Sequence, residues 1–162
     1  MFEGFATWLQ ATPLSIGIQS TGWLIPLLQS IHIVMIGVVF IAVLLLSLRV
    51  LGLARADEAP SALWSRFAPW IWRAVTVLAL TGAVLILSEP VREFTATSFW
   101  LKMALLAAGI AAVAVLGRSL RQDAPASRPL AVLTLVLWLA VIFLGRAIAY
   151  DVEVWGALSL KA

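Results

Sequence analysis

The chain has 162 residues, of which 63% are hydrophobic and 12% charged, with a formal net charge of +3 at neutral pH. A soluble domain is roughly half apolar, so this surplus, with a mean hydropathy of +1.06, excludes a water-soluble globule and points to a chain that faces lipid. The absence of cysteine excludes a disulfide framework, thiolate metal and iron–sulfur sites and covalent c-type haem attachment, and no interleaving of basic and aromatic residues points to nucleic acid.

At the start, Phe2, Phe5, Trp8 and Leu9 recur at helical spacing and Thr12-Pro13 reads as a cap and restart. Residues 1–22 are therefore expected to form a short interfacial helix along the outer membrane–water boundary. Glu3 stands where a signal peptide carries positive charge, so the segment is expected to stay on the mature protein. Apolar runs of about the 20 residues that a bilayer crossing needs follow, over residues 23–48, 69–87, 98–116 and 129–145. Pro26 is expected to kink the first run about a turn before His32. Pro60 to Phe67 reads as a short surface helix, Pro69 and Pro129 as first-turn residues, Ser127 as the cap of the fourth run, and Thr97 or Ser98 as that of the third.

Trp23, Trp64, Trp70, Trp72, Trp100 and Trp155 fall near span ends, where an amphipathic indole anchors at the interface. Ala104, Ala108 and Ala112, with Ala107 and Ala111 beside them, leave the third span nearly smooth on one side. That stripe suits close helix packing, either inside the bundle or against a second copy of the chain. Arg49, Arg55, Arg66 and Arg73 flank the first connection and Arg118, Arg121 and Arg128 the third, against Arg92, Lys102, Arg146 and Lys161 on the other side. The bias places those two connections in the cytoplasm. The sequence thus predicts one all-α transmembrane domain over residues 1–162: a polytopic four-helix bundle, multi-pass in a bacterial inner membrane, with both termini on the periplasmic side.

The chain's one histidine, His32, sits about two turns inside the first span. An ionisable group at such a place is expensive, and imidazole is too short to reach the interface. Gln29 shares its face and Met35 flanks it; Lys102 and Met103 open the third span at the same end, and Arg146 closes the fourth a turn before Tyr150. Neutral imidazole is a good axial ligand for haem iron, with methionine able to complete the pair. The cofactor expected is therefore haem b, held by His32 either with Met103, or as a five-coordinate haem, or as a haem shared between two copies, with Gln29 nearby and Lys102 and Arg146 facing the propionates. Copper on His32, Met35 and Met103 is the alternative, since imidazole and thioether suit Cu(I). No nucleophile motif supports hydrolysis, so any catalysis would be that of a membrane oxidoreductase, with catalytic residues unassigned. The partners expected are lipid, a redox protein and further copies of the chain. An accessory subunit assembling through the third span, with His32 merely hydrogen-bonded, and a small-solute carrier are the other readings.

The strings QSIHIVMIGVV, SFWLKMALL and FLGRAIAY, which cover the first, third and fourth spans, resemble an uncharacterised family of short bacterial four-helix membrane proteins. More distantly, a histidine in the first helix and a lysine opening the third, here His32 and Lys102, are similar to the copper-resistance D type proteins and to the membrane-bound, haem-binding protoporphyrinogen oxidases. That likeness implies a ligand or redox site at these two positions. The further histidines of the oxidases are missing here, and their reaction is not carried over.

Overall fold

The computed structural model describes residues 2–160; Lys161, counted above among the outer cations, lies outside them. The order is α1 (Phe2–Gln10), α2 (Pro13–Ser20), α3 (Leu24–Leu51), α4 (Pro60–Ser88), α5 (Pro90–Phe94), α6 (Thr97–Arg121) and α7 (Arg128–Ala147). A 3₁₀ turn (Ile148–Tyr150), α8 (Asp151–Trp155) and a second 3₁₀ turn (Gly156–Leu158) follow, with no strand among the described residues. Four helices are long and apolar enough to cross a bilayer, and the protein is a multi-pass membrane protein of the all-α class. Helices satisfy their own backbone groups, as hydrocarbon requires.

Local chemistry explains most boundaries. Thr12 caps α2 by accepting from the Ser15 amide at 3.3 Å, with Pro13 in the first turn, and Ser127 caps α7 by accepting from Leu130 at 3.4 Å. α3 ends at Gly52, whose φ of 77° lets its amide turn back to the carbonyls of Leu48 and Arg49. Pro26 falls in the first turn of α3, where an amide has no intrahelical partner to lose, so the expected kink has no cause. The surface helix expected before the second span is instead its own first turns: α4 runs unbroken from Pro60 through Pro69, and Pro60 takes the first-turn place expected of Pro69.

Two helix starts are capped from elsewhere in the chain. α6 has no cap of its own from Thr97 or Ser98; the Asp151 carboxylate accepts from both their amides, at 3.1 and 2.8 Å, and from the Ser159 hydroxyl at 2.6 Å. Trp155 adds a bond from Nε1 to Ser98 Oγ at 2.8 Å, so the last turns of the chain fold back over this start. At the other end, Asp123 accepts from the amide and hydroxyl of Ser61, at 2.9 and 2.8 Å, and caps α4. A carboxylate at a helix N-terminus satisfies orphan amides and complements the dipole, contributing about 0.5–2 kcal/mol.

The bundle is a closed ring: α3 packs beside α4 and α7, and α6 beside α7 and α4. Its core runs through Val39, Val43, Leu46, Ile71, Val113, Leu116 and Trp138. Trp64, expected at the interface, is only 8% exposed; its indole lies flat over Gly117, which brings α4 against α6. The packed side of α6 is Gly109, Ala112, Val113, Leu116, Gly117 and Leu120, a helical repeat beside the alanine stripe. Ala104, Ala107, Ala108 and Ala111 are left uncovered on the outside. At the other end of the bundle α1 packs on α5, burying Ala6 and setting Phe5 edge-on to Phe94 at 5.8 Å.

Candidate functional site

His32 extends from α3 toward α4, where its Nδ1 stands 2.7 Å from Thr81 Oγ1. Thr81 Oγ1 also lies 2.8 Å from the Val77 carbonyl; with its one proton directed there, the hydroxyl can accept from His32, which favours the neutral tautomer protonated on Nδ1. Nε2 has no partner among the described residues, and in that tautomer it presents a lone pair. This is how a second-group hydrogen bond fixes tautomer and orientation in ligating histidines. Gly82 provides the room: a β-carbon there would stand 3.5 Å from His32 Cε1.

Lys102 comes from α6, diagonally across the ring from α3. Its stem lies against Gly145 of α7, where a β-carbon would be 3.8 Å from Cε and 3.9 Å from Nζ. The ammonium has no hydrogen bond or ion pair among the described residues and acts through space on both His32 and Glu93. Glu93 is held on α5 beside Arg92, with Nη2 to Oε1 at 3.5 Å, while Arg92 also pairs with Glu89. Burial pushes the Glu93 carboxyl up, against the opposing pull of Arg92 and Lys102. His32, Lys102 and Glu93 thus lie at the same end of the bundle, with no hydrogen bond or ion pair between them among the described residues, His32 held against α4 and the Lys102 stem against α7.

The other residues expected here are placed differently. Gln29 is exposed on α3. Arg146 is exposed, bonding Tyr150 Oη at 3.2 Å and standing over its ring at 5.2 Å, so it lies along the outside. Met35 packs on the central core, whereas Met103 packs with Ala96, Phe99 and Ile148 in a separate cluster. The two thioethers are not brought together, which takes away the three-ligand copper set as drawn from the sequence. Met103 is partly buried among apolar neighbours. Among the described residues no group of three or more His, Cys, Asp or Glu is placed to hold a metal ion. Thr81 and Glu93 were not singled out from sequence. A hydroxyl one helix away from a lone histidine was the available signal for the first, and the short α5 gave none for the second.

No curated protein and no solved structure matches the chain, so the distant likeness to copper-resistance D type proteins and protoporphyrinogen oxidases gains no support from them. A family model does match residues 5–151, which takes in α3, α4, α6 and α7. The chain belongs to that family, DUF6644, a family of unknown function.

Proposed function

We propose that this protein binds haem b near one end of its bundle, with His32 Nε2 as axial ligand, and serves in electron transfer or cofactor handling with a redox partner at a bacterial inner membrane. The supporting observation is the Thr81 bond, which occupies Nδ1 and leaves Nε2 as the ring's only ligating atom. The donor chemistry fits haem better than copper: one imidazole suffices for an axial position, whereas Cu(I) needs the thioethers that pack apart. Lys102 is the cation for a propionate, and Arg146, turned outward, is not. With Met103 packed among apolar neighbours, this chain supplies a single axial ligand, and a second would come from another copy. The test is an absorption spectrum of protein purified in mild detergent from haem-replete cells. A Soret band that His32→Ala abolishes and Arg146→Gln leaves intact is the expected result; no Soret band in the unmodified protein overturns the reading, and elemental analysis of the same sample decides copper.

A second reading has its own observation. Ala104, Ala107, Ala108 and Ala111 lie uncovered on α6, and small residues let transmembrane helices approach closely. In that reading the protein is an assembly subunit and His32 an interior residue satisfied by Thr81. His32→Gln would then change neither yield, oligomer size nor colour.

A further inference from the structure

A groove of 540 Å³ opens at the arginine-rich end, far along the bundle from His32. One face of α4 lines it, with Ser61, Trp64, Ser65, Ala68 and Trp72 at successive helical turns, and Arg121 at the end of α6 forms the opposite lip. From Ser61 to Trp72 the face is about 16 Å long, enough to pass from headgroup level into hydrocarbon. Its ends differ in character. The outer part carries two serines and the guanidinium, and the inner part carries Ala68, Pro69 and the half-exposed Trp72.

The Arg121 guanidinium at the outer part stands outside any ion pair among the described residues, and Arg118, one turn earlier on α6, is exposed as well. Asp123, close by in sequence, has both carboxylate oxygens taken by Ser61, while Arg66 is turned to Glu58 at 3.2 Å. Pro69 also lacks the amide that would bond the Ser65 carbonyl, leaving an acceptor on the groove wall. We infer that this groove is a binding site for an anionic phospholipid. The phosphate sits against Arg121 with Arg118 at its flank, a glycerol-type hydroxyl of the headgroup donates to the Ser65 carbonyl, and one acyl chain runs down past Ala68 and Trp72. Basic pockets at the helix ends of membrane bundles recognise lipid headgroups in this way.

The test is native mass spectrometry of the whole protein in mild detergent with added dioleoyl-phosphatidylglycerol or dioleoyl-phosphatidylcholine. One phosphatidylglycerol should be retained where phosphatidylcholine is not. Arg121→Gln should weaken its retention about five-fold, the effect of one cation at an anionic surface, and Arg146→Gln at the far end should not. Brominated phosphatidylglycerol should quench tryptophan emission less in Trp72→Phe than in the unmodified protein. Equal retention of the two lipids, an unchanged Arg121→Gln, or displacement of the lipid by millimolar inorganic phosphate would each overturn the assignment, the last by making it a free-anion site.

Discussion

A single hydrogen bond decides what His32 can do. The Thr81→Val substitution keeps the shape of the side chain and removes the acceptor, so the Nδ1 proton loses its place and the ring samples both tautomers. The cost should be about 0.6–1.7 kcal/mol, the range for polar contacts between membrane helices. Because the chain has one histidine, nitrogen-15 labelling of histidine gives one pair of ring signals. The unmodified protein without added haem should show a protonated Nδ1 and a bare Nε2, and Thr81→Val should average them; identical spectra would contradict the assigned tautomer. His32 itself was legible in the sequence because nothing else in its span titrates. Thr81 was not, since threonine in a membrane helix ordinarily bonds its own backbone, which it does here as well. Arg146 was misplaced because spacing gives the level of a residue along a helix, whereas the pairing with Tyr150 turns it to the outside.

Between helices, the closest constraint is Trp64 on Gly117. A β-carbon at Gly117 would overlap the six-membered ring of Trp64, and both belong to helices held elsewhere by their own contacts. Gly117→Ala should therefore destabilise the bundle by about 1–3 kcal/mol, as overpacking does. Gly37→Ala, with nothing within 4 Å of the added carbon, should be neutral or slightly stabilising through helix propensity. Thermal unfolding in detergent compares the two, and Gly117→Ala combined with Trp64→Ala should recover part of the loss if the ring is the cause. The four apolar runs were plain from composition, yet the start of α4 was not. Pro69 looks like a helix opening, and only the Asp123 cap at Ser61 reveals that the helix begins near Pro60. The alanine repeat on α6 left two neighbours open for a related reason: smoothness marks a surface fit for packing without saying what meets it, and of the stripe only Ala112 is buried in the bundle. The residues that do pack, Gly109 through Leu120, repeat at the same period one step around the helix.

For the molecule as a whole, an even number of crossings puts the two ends on one side, and arginine bias chooses the side. Alkaline phosphatase fused at the C-terminus should be active and green fluorescent protein there dark, with the opposite pattern for fusions after Gln122; reversed signals would invert the orientation expected from the sequence. The bundle architecture was legible throughout, because lipid leaves a chain of this hydropathy few alternatives to helices. The placing of His32, Lys102 and Glu93 at one end was only partly so, since it depends on which helices are neighbours in the ring. One further consequence follows from the two borrowed caps. During synthesis α4 emerges before Asp123 and α6 before Asp151, so the first-turn amides of each span are without these caps, and left to water, until the later residue arrives. Those ends close only when a later stretch has been translated and has docked. The chain thereby fastens itself from back to front, and a ribosome stalled short of Asp151 would leave the third crossing in place yet unlatched.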